Sequence, residues 1–307
     1  MKLNREPSIP DWREFSRRMD LIGGPDGPPL TPLITDLNER FAGSMYEQLW
    51  RIGCYATTYT LGGGSVLWTE FAQPPTEAKL CKEWDRIAFK RERSQPLRGP
   101  SPKYVVQCLN SYWDWMERFE TGRDFEETWG SLDAVWSMGR YINIKIIHLL
   151  YETGLITEDM PDIRPYSGWG PRNGLLFIYP ESMHKPKSQA KVYIEQAHYL
   201  SRRAKEAIEP TTWYKVQVLL CNYHQSLTRN GLFPGRHHDR ELAAFLKAGN
   251  VDFDLYGLRK RLFPHECLGE LQGWVKREDL DGIQDYIWSD VLYNYNATTD
   301  LRKPVKR

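Results

Sequence analysis

Residues 166–174 combine groups that bind planar rings and anions with residues that break regular secondary structure. Three glycines and a proline within these nine residues disfavour both helix and strand. Between them stand Trp169, Arg172 and Asn173, whose indole, guanidinium and carboxamide can stack on a ring, hold an anion and contact the edge of a base. The pattern predicts a binding loop. The alternative is a tight connection between two helices, with Trp169 filling a core.

A second polar cluster covers residues 233–241. His237 and His238 stand beside an aspartate and between two arginines, the first of which is Arg236. These groups can bind a polyanionic leaving group and move a proton. Adjacent histidines point in different directions on a helix, so the cluster does not predict a metal site. A solvated helix N-terminus is the alternative interpretation.

Glu270 is the third candidate, because it is surrounded by apolar residues and glycines. Leu268 and Leu271 flank it in a Leu-Gly-Glu-Leu sequence. Burial among such neighbours raises the pKa of a carboxyl group, which suits a general base. A structural ion pair with a nearby arginine is the alternative.

The densest basic patch of the chain lies between residues 86 and 103. Asp85, just before it, and Glu92, within it, oppose the patch, and its cations are Arg86, Lys90, Arg91, Arg93, Arg98 and Lys103. Such a run is either a contact surface for a phosphate backbone or a solvated face.

Two glycine-containing turns could present backbone amides to phosphate. The triplet Gly62-Gly63-Gly64 precedes a helical segment, but no nucleotide-binding motif surrounds it, which favours a plain junction between helices. The turn at Gly139 is similar to a helix-hairpin-helix, with Ser137 in place of the usual first glycine. In DNA glycosylases with this element an aspartate follows further along the chain, and here residues 158–162 supply acids.

The elements that position these groups are predicted to be helices. Apolar residues recur at helical spacing through most of the chain. Ser101 followed by Pro102 predicts one helix start, and Asp124 with Glu127 predicts a capping box that opens a helix with Trp136 on its inner face. The run 175–179 is the one candidate strand. The sequence therefore predicts a mainly α fold, a single helical domain with at most a short strand pair.

Domain organisation and composition set further limits. The Pro/Gly-rich start predicts an N-terminal arm at 1–33. A helical domain is predicted at 34–290, followed by a basic tail at 291–307. The formal net charge of +1 requires any nucleic-acid contact to be local. Five widely spaced cysteines, together with no signal peptide and no membrane-length apolar run, predict a protein of the reducing cytoplasm that does not enter a membrane.

A series of short motifs resembles one family. In chain order they are Thr58-Tyr59, Gly64-Ser65, Thr69-Glu70-Phe71, Trp84, Gly139-Arg140-Tyr141, Arg172-Asn173-Gly174-Leu175, Leu220-Cys221-Asn222-Tyr223, Gly235-Arg236 and Leu268-Gly269-Glu270-Leu271. Across about residues 36–275 the chain is similar to the bacteriophage amino acid:DNA transferases, the α-glutamyl/putrescinyl thymine pyrophosphorylases. A glycine triplet replaces the Pro-Thr-Thr-like segment of that family.

The resemblance implies a fold similar to DNA glycosylases and an activity in thymine hypermodification. The partner would be double-stranded DNA that carries phosphorylated or pyrophosphorylated 5-hydroxymethyluracil. The co-substrate would be a free amino acid or polyamine, and the location the cytoplasm of a phage-infected bacterium. No cofactor and no metal site are predicted.

The resemblance also implies roles for individual residues. A flipped uracil needs an aromatic platform and an amide, and a departing pyrophosphate needs cations. The implied base-binding residues are Trp169, Tyr141 and Asn173, the cations Arg172, Arg140 and Arg236, and the general base Glu270 or His237. Lys90, Arg91 and Arg93 are expected to contact DNA. A glycosylase-like base-excision enzyme and a non-catalytic DNA-binding module remain alternatives.

Overall fold

The computed structural model describes residues 30–89, 100–161, 202, 205–206, 212–218 and 244–262 of the chain. These residues are mainly helical, which confirms the predicted fold class. No strand occurs among them; an isolated parallel bridge joins Arg123 to Ile156. The candidate strand at 175–179 lies outside this part of the chain.

Among the described residues, eight α-helices have defined bounds. They are α1 (Leu30–Arg40), α2 (Met45–Thr58), α3 (Leu61–Glu70), α4 (Glu77–Glu83), α5 (Pro102–Met116), α6 (Phe125–Leu132), α7 (Arg140–Glu152) and α8 (Leu255–Leu262). A 3-10 turn, Trp84–Arg86, follows α4, and shorter helical stretches occupy 213–218 and 244–248. Helix α1 begins at Leu30, and its residues Leu30 and Leu33 are buried in the core.

Helix α2 lies at the centre of the fold and packs against α3, α5 and α7. Trp50 and Tyr55 of α2 are almost fully buried, and Tyr112 of α5 donates a hydrogen bond to the Leu49 carbonyl at 3.1 Å. The Tyr112 ring occupies the space beside Gly53, where a side chain would collide with it. A large aromatic on one helix opposite a glycine on the next brings the two helix axes close together.

Two predicted helix starts are confirmed. The Ser101 hydroxyl accepts a hydrogen bond from the Tyr104 amide, and Pro102 is the first residue of α5. Asp124 and Glu127 form the predicted capping box at the start of α6. Each cap satisfies amide donors that the first turn of a helix cannot pair internally.

The glycine triplet serves close packing and does not open toward a ligand. All three glycines lie in the first turn of α3 and are buried, and the Thr60 hydroxyl caps the helix by accepting from the Gly63 amide at 3.0 Å. A Cβ at Gly62 would overlap the backbone of Ala244, and a Cβ at Gly63 would overlap the Ala88 carbonyl. The junction interpretation is therefore correct, since protein backbone fills the space that a phosphate would need.

An ion network, which we call the Arg51 network, fixes residues 244–262 to the N-terminal helices. Arg51 is 4% exposed, and its guanidinium contacts the Asp252 carboxylate at 2.5 Å and the Asp36 carboxylate at 3.8 Å. Arg40 contacts the Asp36 carboxylate at 3.1 Å and the Asp252 carboxylate at 2.5 Å. The guanidinium of Arg51 lies 3.9 Å from the ring centroid of Phe41. Each buried charge thus has an opposite charge beside it, as burial requires.

The titration of the two acids in this network shifts in opposite directions. Burial raises the pKa of Asp36, although Arg40 and Arg51 oppose the shift. At Asp252 burial acts in the same direction, but hydrogen bonds from Arg51 and Arg40 outweigh it and lower the pKa of the carboxyl group. Asp252 is accordingly the acid that the arginines stabilise in its ionised form.

Arg86 is a structural residue and not part of a phosphate-binding patch. Its guanidinium contacts Glu70 and Glu83 at 2.6 Å each and donates to the carbonyls of Ala248 and Asn250 at 2.9 Å each. The Glu70 hydrogen bond, ahead of the other contacts, raises the pKa of Arg86. With these partners engaged, its charge serves the contact between the α3–α4 region and residues 248–250.

Trp136 is exposed, contrary to the prediction that it lies on the inner face of α6. Helix α6 ends at Leu132, so the helical spacing that would carry Trp136 into the core stops before reaching it. Leu132 and Val135 are buried as predicted, whereas Trp136 is 45% exposed.

Candidate functional site

Helix α7 carries a polar stripe on one face of an otherwise apolar helix. Tyr141, Lys145, His148 and Glu152 are spaced at i, i+4, i+7 and i+11, which places them on the same side of a helix. The other side is apolar and buried, through residues such as Ile146 and Leu149. We call these four residues the α7 stripe. An apolar helix can bury such a stripe only if polar partners face it.

Lys145, in the middle of the stripe, lies among three phenol rings. Its ammonium donates a hydrogen bond to the Tyr214 hydroxyl at 3.0 Å. The same nitrogen is 5.3 Å from the ring centroids of Tyr59 and Tyr141 and 5.6 Å from that of Tyr214. An ammonium within about 6 Å of a ring centroid is attracted to the face of the ring. The three phenols therefore orient the Lys145 charge.

Tyr59 has a strained backbone. It follows the last residue of α2 in a left-handed conformation, with φ of 59°, and is 5% exposed. A bulky residue in this region costs about 1–2 kcal/mol, a strain that clusters at functional sites. Its ring stacks on Tyr55 at a centroid distance of 5.9 Å and tilts against Tyr141 at the same distance. Burial, followed by the neighbouring phenols, raises the pKa of Tyr59, so its hydroxyl stays protonated as a hydrogen-bond donor.

His148, from the α7 stripe, and Asp159 are buried side by side. The His148 ring is fully buried and stacks on the Tyr214 ring, with centroids 4.0 Å apart and planes 16° apart. Its Nδ1 lies 3.5 Å from the carboxylate of Asp159, whose side chain is 8% exposed. His148 Nε2 lies 3.9 Å from Glu152, which also contacts Lys215 at 3.3 Å. A chain of contacts thus runs from the buried carboxylate through His148 and Tyr214 to Lys145.

The turn that leads into α7 contains a left-handed residue two positions before the glycine that caps the helix. Ser137, at the position of the hairpin's first glycine, adopts a left-handed φ of 67°. Gly139 is the N-cap of α7, and no side chain caps it. The Gly139 carbonyl accepts from the Ile142 amide at 2.8 Å, so the helix begins directly at the turn. First-turn amides of a helix point outward along its axis and favour anions.

Two of the predicted site residues lie in this region. Tyr141 is half-buried within the phenol cluster, and Arg140 is exposed at the first position of α7. The rest of the predicted set lies outside the described residues: Trp169, Arg172, Asn173, Arg236, His237, Glu270, Lys90, Arg91 and Arg93.

Sequence reasoning missed Lys145, His148, Tyr59 and Tyr214. Lys145 and His148 had a readable signal, because polar residues at helical spacing interrupt an apolar helix that begins at Gly139. Tyr59 was named as part of the Thr58-Tyr59 motif but was given no role, and Tyr214 had no signal, since both reach the stripe from other parts of the chain.

Comparison with protein-family models, curated proteins and solved structures found no match for this chain. None of the helices in the described residues is long and apolar enough to cross a membrane. Within the same residues, no three His, Cys, Asp or Glu side chains are grouped so as to hold a metal ion.

Proposed function

We propose that this protein is a phage DNA-hypermodification transferase, which joins an amino acid or other amine to phosphorylated or pyrophosphorylated 5-hydroxymethyluracil in DNA. The observation that carries the proposal is the α7 stripe directly behind a glycine-type hairpin. A turn suited to a DNA phosphate is followed, within two helical turns, by aromatic rings and an oriented ammonium. A base-modifying enzyme needs these two functions close together.

The reaction forms a C–N bond and breaks a C–O bond. The amine nitrogen attacks the exocyclic methylene carbon, the oxygen of the (pyro)phosphate leaves with the bonding electron pair, and a base removes one proton from the nitrogen. Charge develops on the leaving oxygen, where cations lower the barrier. The amine attacks only as the free base, so the proton acceptor must act before or during attack.

The α7 residues fit parts of this chemistry. The half-buried Tyr141 ring is suited to stack on an extruded uracil, and Lys145, one helical turn further on, is suited to the leaving phosphate. Arg140 adds a second cation at the entrance to the helix. We propose Trp169, Asn173, Arg172 and Arg236 as further contacts to base and phosphate. Glu270 or His237 is the proposed proton acceptor.

The proposal is tested with duplex DNA that carries pyrophosphorylated hydroxymethyluracil. The protein is incubated with this DNA and a panel of amino acids and polyamines, and the DNA is digested to nucleosides for mass spectrometry. We expect a nucleoside that is heavier than 5-hydroxymethyl-2′-deoxyuridine by the mass of one amine less one water. No mass gain with any amine, with DNA that is demonstrably activated, would overturn the proposal.

A second candidate function, base excision by a glycosylase-like enzyme, is favoured by Asp159. A carboxylate that is 8% exposed beside a fully buried histidine, following a hairpin, is an arrangement that could stabilise positive charge on a sugar. The same nucleoside digest distinguishes the two functions, because excision leaves abasic sites and no heavier nucleoside.

The variant Asp159→Asn separates the candidates further. Base excision that depends on this carboxylate should fall about 1,000-fold or more, since a charged group that acts in the transition state is removed. Transfer of an amine should fall less than about tenfold, because Asp159 then only positions His148. Asp162→Asn is the matched control, as a neighbouring acid whose loss should affect neither activity if Asp159 is the excision residue.

A further inference from the structure

The exposed Trp136 is held in place by three contacts at the tip of the α6–α7 hairpin. Its backbone amide donates to the Ser111 hydroxyl at 2.8 Å. Its indole packs against the Tyr104 ring, with centroids 4.9 Å apart. The Tyr104 hydroxyl is hydrogen-bonded to the hydroxyl of the next residue, Ser137. A side chain with 45% of its surface in water is therefore presented on a fixed backbone.

An exposed tryptophan held in a fixed position is suited to contact a binding partner. Burial of an aromatic side chain is among the largest sources of stability in a protein, so leaving one outside forgoes that gain. The indole offers a flat apolar face, and the Tyr104 ring behind it limits how far it can turn. Aromatic faces held in this way stack on the bases or sugars of a nucleic acid strand.

The charges around Trp136 favour a polyanion. Lys103, next to Tyr104, and Arg140, four residues after Trp136, are both exposed. The first turn of α5, which contains Tyr104, and the first turn of α7, which begins four residues after Trp136, contain no acidic residue. The acid on this loop, Asp133, accepts a hydrogen bond from Asn143 at 3.2 Å. In sequence, the chain enters α5 directly after its most basic stretch.

We infer that Lys103, Tyr104, Trp136 and Arg140, the Trp136 surface, form a contact surface for a DNA strand, in which Trp136 packs on a base or deoxyribose and the two cations contact phosphates. The inference rests on the proposed function for the identity of the partner, and it adds the surface that receives it. Trp136 precedes Tyr141 by five residues. A strand on this surface would thus lie next to the α7 stripe.

The test measures the affinity of the full chain for fluorescently labelled duplex DNA by fluorescence anisotropy at several salt concentrations. Trp136→Ala should weaken binding about tenfold, because one aromatic stacking contact is lost. Trp136→Phe should retain most of the affinity. Lys103→Gln should reduce the salt dependence by about one phosphate contact, whereas Trp136→Ala should leave the salt dependence unchanged.

Tyr46 supplies the matched control. It is also 45% exposed and also packs against another aromatic ring, at a centroid distance of 5.3 Å from Trp113, but it lies on α2. Tyr46→Ala should bind DNA as the wild type does. Thermal unfolding of each variant checks that the fold is retained.

The outcomes separate this inference from the proposed function. Equal affinity of Trp136→Ala, Tyr46→Ala and wild type overturns the Trp136 surface, even if amine transfer is observed. Equal weakening by both alanine variants overturns it as well. Selective weakening by Trp136→Ala without any transfer product supports the surface and overturns the transferase. A wild-type protein that does not bind DNA overturns both.

Discussion

The Arg51 network and the α7 stripe each hold a cation at least partly out of water, but they surround it with different chemistry. Arg51 lies between the carboxylates of Asp36 and Asp252, whereas Lys145 lies among the phenol rings of Tyr59, Tyr141 and Tyr214. Carboxylates neutralise a cation and fix it. Phenols carry no formal charge, so they orient an ammonium without neutralising it.

This difference assigns the Arg51 network to the stability of the fold and the α7 stripe to the reaction. The Arg51 network joins α1 and α2 to residue 252, over 200 positions further along the chain. The α7 stripe instead follows the turn at Ser137, and the first residue of the helix after that turn, Arg140, is exposed. We therefore expect changes in the network to alter the free energy of unfolding, and changes in the stripe to alter the reaction.

The largest effect on the free energy of unfolding is expected for Arg51→Met, which disrupts the Arg51 network. Removing the guanidinium takes one of two cations away from the buried Asp36 carboxylate and breaks the contact to Asp252, which should cost about 3–5 kcal/mol in the free energy of unfolding. Denaturant titration followed by circular dichroism measures it. Arg118→Met, an exposed arginine that donates to the Asp114 carbonyl, is the control and should change stability by less than about 0.5 kcal/mol. Similar stability of both variants would mean that the network is not a structural device.

Lys145→Met tests whether the α7 stripe serves the reaction. The variant keeps the length and apolar stem of the side chain, so the free energy of unfolding should change little. Loss of the charge should slow amine transfer about 100-fold or more, as removal of a group that stabilises developing charge does. Lys145→Arg should recover part of the rate. Lys247→Met, at an exposed lysine that donates to the Ile87 carbonyl, should transfer at the wild-type rate. A fall in stability with an unchanged rate per folded molecule would assign Lys145 to the structure instead.

Asp252→Asn should have a smaller, pH-dependent effect. The pKa of Asp252 is lowered in the folded state, so its contribution is present above the ordinary value of 3.8 and is lost as the pH falls through the folded-state pKa. The variant should be about 1 kcal/mol less stable at neutral pH, because the Asp252 side chain is 48% exposed and water screens its ion pairs. The difference from wild type should shrink in acid.

The pH comparison must use the difference between the two proteins. The raised pKa of Asp36 acts in the opposite direction, since stability from that group is lost as the pH rises. A wild-type advantage that persists well below the ordinary pKa of a carboxyl group would contradict the assigned role of Asp252. Parallel melts of Asp252→Asn and wild type across acid and neutral pH provide this measurement.

Local features of the fold could be predicted from the sequence, because neighbours in the chain determine them. The caps at Ser101 and Asp124 are of this kind, as each side chain bonds to an amide three residues away. Trp136 shows the limit of such reasoning. Helical spacing predicted it to be inside, but the helix ends four residues earlier, and the spacing then no longer says where a side chain points.

The candidate site could be predicted only in part. Tyr141 was found from the motif at Gly139, yet the surroundings of Lys145 come from Tyr59, just after α2, and from Tyr214, 69 residues away. Contacts between distant segments depend on how helices pack, which a pattern in one segment does not contain. The glycine triplet is a second example, since the need for glycine at Gly62 comes from the backbone of Ala244.

The most direct test of the central claim measures both products of one reaction. Activated DNA is incubated with ¹⁵N-labelled amine and either wild-type protein or Lys145→Met. Labelled nucleoside and released phosphate or pyrophosphate are then quantified in the same sample. We predict that wild type yields the two products in equal amounts and that Lys145→Met yields neither at a comparable rate. Abasic sites without label, or release of phosphate without incorporation of the amine, would contradict the account.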